Sequence, residues 1–266
     1  MSKITVRDVQ ETIQQIAPVE TAESFDNVGI LMGDSSQLVD VILCALDITM
    51  EVVEEAKKIG AQLIVSHHPL IFHPVKRILV GEPQADIIYA LIRANISVIA
   101  AHTNADLSPL SGSMAIVKAL GLQNIVQDGY VLAGDLQTPS SGRTLASQLH
   151  KVLKNPCRVF GDDEATVNRV AMACGAYGEG YQTAIKMGAQ AYLTGEIRHH
   201  EAVDAVMRGV IMYEGGHYAT ETIMISGLCA YLQNALSAVE YSVQVVESSV
   251  LAYKGALDEG GTTWNN

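Results

Sequence analysis

Histidine side chains follow three separate apolar segments of this chain, and two of those segments also lead to a carboxylate. The residues concerned are His67 and His68 after segment 63–66, His102 and Asp106 after segment 96–101, and His217 and Glu221 after segment 210–213. Imidazole nitrogen and carboxylate oxygen together form a donor set that proteins use for zinc and other first-row transition metals. Six such side chains are enough for more than one ion, so the pattern predicts a metal site.

A lone histidine is more often a core or surface residue than a ligand, and that interpretation suits His73 and His150. It suits four histidines at three strand ends poorly. His217 and Glu221 are four residues apart at the start of a predicted helix, which places both side chains on one helix face. Glu196 follows another short apolar run. It is interpreted either as a functional residue, which acts as a general base or holds a metal ligand in place, or as a charge that stabilises a helix N-terminus.

These side chains must be positioned by the elements around them. Apolar runs alternate with amphipathic stretches, which predicts an α/β fold with mostly parallel sheets flanked by helices. Thr49 is an expected helix N-cap, and Gly60 and Gly121 are expected glycines at helix C-termini. Predicted strands lie at 41–47, 63–66, 96–101, 167–174, 191–193, 210–213 and 243–246, and predicted helices at 49–58, 84–94, 112–120, 145–153, 181–187, 200–207 and 220–236.

The same alternation predicts two linked α/β domains. Segment 129–141, rich in Gly, Pro and Ser, is interpreted as their connection, which gives domains at 1–128 and 129–254. The polar, Gly-rich segment 255–266 is expected to be a flexible tail. Because open α/β sheets carry functional groups at the carboxyl ends of their strands, the metal site is expected there, between the two domains.

Composition narrows the classes of function. The net charge of −12 disfavours binding to the phosphate backbone of nucleic acids. No segment approaches the roughly 20 apolar residues of a membrane helix, and charges stand where a signal peptide would be apolar, so a cytoplasmic location is expected. The four cysteines form no CxxC pair and are interpreted as free thiols.

Several short motifs together resemble the NIF-three-like family, whose members are often called GTP cyclohydrolase 1 type 2 homologs. They are SFDNVGI at 24–30, ALDIT at 45–49, SHHPLIF at 66–72, AHTNAD at 101–106, TGE at 194–196 and GHYATE at 216–221. The resemblance covers about 6–246 and implies a short form, without the domain that some members carry between their halves.

This resemblance implies two divalent metal ions per chain between two α/β domains. It implies that the ligands are His67, His68, Asp106, His217 and Glu221, with Glu221 bridging both ions. His102 then becomes a supporting residue, and His102 and Glu196 are the candidates for proton transfer. The resemblance also implies a homohexameric ring and a nucleotide substrate, GTP, whose guanine imidazole ring is opened by hydrolysis.

Mixed nitrogen and oxygen ligation favours Zn²⁺, Mn²⁺, Fe²⁺, Co²⁺ or Ni²⁺, and the leading hypothesis is a dinuclear metal-dependent hydrolase. A metal-binding ring protein with a regulatory or protein-interaction role is an alternative that needs no substrate. A metal-dependent phosphoesterase is a third hypothesis. It requires cationic residues near the site, for which Lys76, Arg77 and Arg198 are the candidates.

Overall fold

The structure is a computed structural model that describes residues 3–239 and 242–251; the predicted tail 255–266 lies outside these ranges. The strands are β1 Ile4–Thr5, β2 Gly29–Met32, β3 Leu38–Val39, β4 Val41–Ala45, β5 Leu63–Ser66, β6 Ser97–Ala100, β7 Gln123–Asp128, β8 Val131–Ser141, β9 Arg158–Phe160, β10 Thr166–Met172, β11 Ala191–Thr194, β12 Ile211–Glu214 and β13 Gln244–Glu247. The helices are α1 Val6–Gln14, α2 Met50–Ile59, α3 Pro83–Ala94, α4 Thr103–Asp106, α5 Gly112–Leu120, α6 Gly142–Leu153, α7 Tyr181–Lys186, α8 His199–Met207 and α9 His217–Ala238.

The first large sheet has five strands in the order β13-β4-β5-β6-β2. The neighbours β13, β4, β5 and β6 pair in parallel, and β2 pairs antiparallel with β6 at the edge. Successive residues of β4 point to opposite faces, so Ile42 and Cys44 pack under α1 and α9 while Leu43 and Ala45 pack under α2 and α3. Both faces are therefore covered by helices, as parallel sheets require.

The second large sheet has six strands in the order β7-β8-β10-β11-β12-β9. Its centre, β10-β11-β12, is parallel, whereas β7, β8 and β9 pair antiparallel. Helices α5 and α6 cover one face, and α7 and α8 cover the other. The predicted α/β class is confirmed, with more antiparallel pairing in this sheet than the strand–helix alternation indicated.

The interpretation of segment 129–141 as a connection is wrong. Residues 131–141 form β8, the longest described strand, which pairs with β7 through a turn at Gly129 and with β10 on its other side. Gly134 in its middle and Pro139, Ser140 and Ser141 near its far end are typical of a loop, but the strand continues through them with a shift in its register to β10.

Sheet membership also crosses the predicted boundary at 128/129, although the two-domain division itself stays a prediction. Strand β7 lies before that boundary and pairs within the second sheet, while β13 lies far after it and pairs with β4 in the first. Helix α9 joins the two cores: Leu228 and Leu232 pack against the first sheet, and Ile223 packs against the second. The last long helix thus holds both sheets in one arrangement.

The predicted helix ends are confirmed where local chemistry dictates them. The Thr49 hydroxyl accepts a hydrogen bond from the amide of Val52 at the start of α2, and Gly60 ends that helix with a φ of 72°. Gly121 ends α5 in the same way, with a φ of 64°. No helix among the described residues is long and apolar enough to cross a membrane.

Candidate metal centre

The predicted ligands meet where strands of both sheets end. His67 and His68 directly follow β5, and Asp106 lies just beyond β6 in the first sheet. His217, three residues after the end of β12 in the second sheet, is the first residue of α9. Glu221 follows one helical turn later. The carboxyl ends of parallel strands from the two sheets therefore face each other across one centre.

Two local features of the backbone position these residues. Residues 103–106 form the single-turn helix α4, with His102 at its N-terminal flank. Gly216, before His217, has a φ of 85°, a conformation that only glycine adopts without strain. This backbone conformation turns the chain sharply from β12 into α9 and aims His217 at the centre.

Glu221 lies in the middle of the cluster. Its Oε2 lies 3.0 Å from Nε2 of His68 and 3.1 Å from Nε2 of His217, and its Oε1 lies 3.9 Å from Nε2 of His67. Nε2 of His67 also lies 3.7 Å from Oδ1 of Asp106. The carboxylate therefore lies within 3.9 Å of the Nε2 atoms of three imidazoles, which is the position that a bridging ligand needs.

Each of the four histidines has its other ring nitrogen held by an acceptor. Nδ1 of His67 lies 2.9 Å from the Ala101 carbonyl oxygen, and the remaining three Nδ1 atoms face carboxylates: His68 with Asp47 at 2.7 Å, His102 with Asp26 at 2.9 Å, and His217 with Glu196 at 2.7 Å. A carbonyl or carboxylate oxygen can only accept, so Nδ1 carries the proton in each ring. The Nε2 lone pairs are thereby left for the centre, the arrangement typical of metal-binding histidines.

Two buried atoms at the centre lack a hydrogen bond. While the four rings are neutral with the proton on Nδ1, Nε2 of His67 and Oε2 of Glu221 have no hydrogen-bond partner among the described residues, because the Nε2 atoms around the carboxylate then carry lone pairs. An unsatisfied buried polar atom costs about 1–3 kcal/mol unless something else binds it. Two such atoms in one set of nitrogen and oxygen donors fit a divalent transition-metal ion.

The titration behaviour of the cluster agrees with this fit. Burial lowers the pKa of His67 to about 4, so its ring is neutral at physiological pH. Burial also lowers the pKa of His68, but Asp47 and Glu221 outweigh it and raise that pKa to about 10. Glu221 beside its ring is the main reason that the pKa of His217 rises to about 9. Without an ion, protons on His68 and His217 supply the positive charge that the carboxylates require.

The two carboxyl groups respond in opposite directions. Burial, followed by the nearby charge of Glu221, raises the pKa of Asp106 to about 7. Burial also tends to raise the pKa of Glu221, but His217 and His68 hold it well below its usual range. A cation between two carboxylates removes their repulsion, so this pair also favours a bound metal ion.

His102 comes as near to the centre as the predicted ligands. Ring nitrogens of His67, His68 and His102 lie within 4.8 Å of one another, as do the donor atoms of the group His68, His217 and Glu221. The structure thus places donor atoms in two adjoining groups that share His68. His73 and His150 are exposed and belong to neither group.

The ligand candidates are visible in the sequence, but most of the residues that accept hydrogen bonds from their Nδ1 atoms were not identified from it. It identified Glu196, whose carboxylate orients His217. Asp47 follows β4 by two residues, so the strand-end rule that identified the histidines could have identified it too. Asp26 lies in a loop before β2, 76 positions from His102, and its place in the motif SFDNVGI at 24–30 is the signal that could have identified it.

An open cavity of about 630 Å³ lies against this centre. His68, His217 and Glu196 line one side, and apolar side chains that include Leu70 and Ile87 line the other. This volume lies within the range of about 300–1,000 Å³ that is typical of small-molecule sites. The centre is therefore reachable by a ligand rather than sealed within the protein.

The chain is similar to known proteins over nearly its whole length. Residues 4–252 match the model of the family described as Duf34/NIF3 (NGG1p interacting factor 3). A Streptomyces coelicolor relative, named GTP cyclohydrolase 1 type 2 homolog, is 32% identical over 230 residues, which are 80% of this chain and 80% of the relative.

A Staphylococcus aureus relative with the same name is 26% identical over an alignment of 359 positions, covering 92% of this chain and 97% of the relative. That alignment is longer than the 266 residues of this chain, so the relative carries sequence that this chain lacks. The crystal structure of a Bacillus cereus protein related to NIF3 has a TM-score of 0.90 and 22% identity, over 96% of this chain and 99% of that one. The fold is thus shared with that protein.

Proposed function

This chain belongs to the Duf34/NIF3 family, and from that membership and the geometry of its centre we propose that it is a hydrolase that depends on two divalent metal ions. One observation carries the proposal. Four histidines have their Nδ1 atoms held by acceptors while their Nε2 atoms remain available around Glu221. Such fixed tautomers leave each Nε2 free to bind a metal ion or to accept a proton.

We assign the ligands as His67, His68, Asp106, His217 and Glu221, with Glu221 shared between the ions. Bound divalent ions would lower the pKa of a water molecule and polarise an electrophile. Mixed nitrogen and oxygen donors favour Zn²⁺, Mn²⁺, Fe²⁺, Co²⁺ or Ni²⁺ over Mg²⁺ or Ca²⁺. The open cavity beside His68 and His217 supports a catalytic rather than a purely structural site, since structural sites are closed.

His102 is our candidate for moving a proton during hydrolysis. Its Nδ1–H donates to Asp26, which leaves Nε2 free to accept a proton at the centre. Asp26 also accepts hydrogen bonds from the amide and hydroxyl of Thr103, so its carboxylate is fixed. Burial tends to raise the Asp26 pKa, but the hydrogen bonds from His102 and Thr103 outweigh it and hold that pKa well below its usual range. A permanently ionised Asp26 stabilises the imidazolium that forms when His102 accepts the proton.

Glu196 acts differently in this proposal. One of its oxygens accepts from Nδ1 of His217, while the side chain is 60% exposed at the edge of the cavity. It fixes the tautomer of His217, and its exposed position also allows it to pass a proton between the site and solvent. The positioning role has the stronger support, because the 2.7 Å contact is present in the structure.

The relatives' name supplies one specific reaction to examine. Water would add to C8 of the guanine of GTP, the C8–N9 bond would open, and a second hydrolysis would release formate. The cavity volume of about 630 Å³ is compatible with a guanine ring near the centre. A metal-binding protein with a regulatory role remains the alternative, and it predicts bound metal with no turnover.

The first test is the metal content per chain, measured by elemental mass spectrometry on protein purified without chelator or histidine tag. We expect two transition-metal ions per chain. The metal-loaded protein is then assayed for hydrolysis of GTP and of phosphoesters, with chelated protein as the control. A chain that neither contains nor takes up Zn²⁺, Mn²⁺ or Fe²⁺ would refute the proposal, whereas bound metal with no hydrolysis would favour the regulatory role.

A further inference from the structure

A second cavity adjoins the one at the metal centre. It has a volume of about 490 Å³ and is lined by the loop between β5 and α3. Leu70 and Gln84 line both cavities, so the two share a wall. Phe72, which lines the second cavity, has its ring centroid 6.1 Å from that of His102. A molecule seated at the metal centre can therefore extend into this second cavity.

The second cavity contains the two cations of this loop, Lys76 and Arg77. Their stretch of sequence is unusual for a chain with 29 acidic and 17 basic residues, because no Asp or Glu occurs between Glu55 and Glu82. Glu82 is the acidic residue that lines this cavity with them. Within the described parts of the chain, Lys76 has no ion-pair partner. The ammonium group of Lys76 is therefore available to a ligand.

Arg77 is only partly engaged. Its Nε lies 3.2 Å and its Nη2 lies 3.1 Å from Oε1 of Glu82. Both groups are largely exposed, so this pair contributes little stability and can be opened. By contrast, Arg198 lies 3.9 Å from Glu201 and lines neither cavity. Of the three cations that are candidates for a phosphoesterase, Lys76 and Arg77 line the second cavity and Arg198 does not.

Two hydrogen bonds hold the start of the loop that lines the second cavity. The side chain of Asn27 donates to the carbonyl oxygen of Ile71 at 2.5 Å, and the side chain of Gln84 donates to that of Leu70 at 2.6 Å. These bonds attach the start of the loop to the neighbouring segments 24–30 and α3. The end of the loop that lines both cavities is thus fixed, and the cationic pair follows it within five to seven residues.

From these observations we infer that the substrate carries a phosphate group, which Lys76 and Arg77 bind in the second cavity while the reacting group lies at the metal centre. This inference rests on the proposed function. The three donors of Lys76 and the remaining donors of Arg77 suit the several oxygens of a phosphate.

The small size of the cationic site indicates that its ligand is a small molecule rather than a nucleic acid. A polymer would require basic residues along an extended surface, whereas this chain has two cations in one concavity and a net charge of −12. The ligand class is therefore a phosphorylated small molecule, which includes nucleotides and simple phosphate esters.

The test is calorimetric titration of inorganic phosphate into the metal-free full chain at low ionic strength. The variants are Lys76→Gln and, as a matched control that lines neither cavity, the exposed Lys151→Gln on α6. Loss of one charge-assisted hydrogen bond should weaken phosphate binding by on the order of tenfold in Lys76→Gln. The control should bind phosphate as the natural chain does, and acetate should bind more weakly than phosphate.

Four results would overturn the inference: no saturable phosphate binding, equal binding by the two variants, binding that appears only after zinc is added, or acetate that binds as tightly as phosphate. Metal content is measured on the same preparations. A chain that holds two ions but fails the phosphate test keeps the proposed function and loses this inference. A chain that holds no ions loses the proposed function whatever phosphate does.

Discussion

Replacing Gly175 by alanine should disturb the metal centre from the side of the second sheet. Gly175 lies three residues beyond the end of β10 and has a φ of 68°. A Cβ at this position would lie 2.2 Å from Oε1 of Glu221 and 3.5 Å from Nε2 of His217. The carboxylate would have to retreat by roughly 1 Å to reach an ordinary van der Waals separation.

Two effects of the substitution must be separated. The left-handed backbone conformation costs an alanine about 1–2 kcal/mol of folding stability wherever it occurs. Gly188→Ala is the matched control, since Gly188 has a φ of 78° and a Cβ there would have no atom within 4 Å. Both variants should lose similar stability from strain, so any further effect of Gly175→Ala reports the displaced carboxylate.

The assays are thermal unfolding of the metal-free variants and titration of Zn²⁺ against a competing chelator. Outer-shell changes typically cost about 10- to 100-fold in metal affinity, and a displaced ligand should cost at least that much. We expect Gly175→Ala to show this loss and Gly188→Ala to bind Zn²⁺ normally. Equal Zn²⁺ affinity in the two variants would refute the assignment of Glu221 as a shared ligand.

Further expectations concern the ligands, protons and assembly. Glu221→Gln should lower the metal content measured by elemental mass spectrometry without unfolding the chain, and His150→Ala should leave it unchanged; the reverse would show that the site is mapped wrongly. Glu196→Gln should weaken Zn²⁺ binding by about 10- to 100-fold because His217 loses its charged acceptor, and an unchanged affinity would assign Glu196 no positioning role. In the metal-free chain the raised pKa values of His217 (about 9) and His68 (about 10) mean that both are protonated at pH 7. Metal must displace these protons, so the metal affinity should rise with pH up to about 10. Calorimetry in buffers of different ionisation heat should detect proton release, whose absence would contradict this account. The family resemblance predicts a homohexamer, which light scattering of the full chain checks by giving, or not giving, six times the mass of one chain.

Local sequence patterns predicted most of the elements that position the site. Strand β5 and helix α5 have their predicted bounds, and Gly60 and Gly121 end helices as expected. These predictions succeeded because side-chain periodicity, N-caps and positive-φ glycines act over a few residues. Strand β8 was missed because its turn-forming residues suit a loop equally well, and pairing with β7 and β10 decided the outcome.

The sequence by itself determined which side chains could bind metal, since histidine and carboxylate at strand ends are visible in the order of residues. Only the tertiary structure decided how they are held. Asp26 reaches His102 across 76 positions, Asp47 reaches His68 across 21, and the Ala101 carbonyl fixes His67. Such contacts depend on how the two sheets and α9 pack together. The periodicity of the sequence cannot predict them, because they join residues that are distant in sequence and adjacent only after folding.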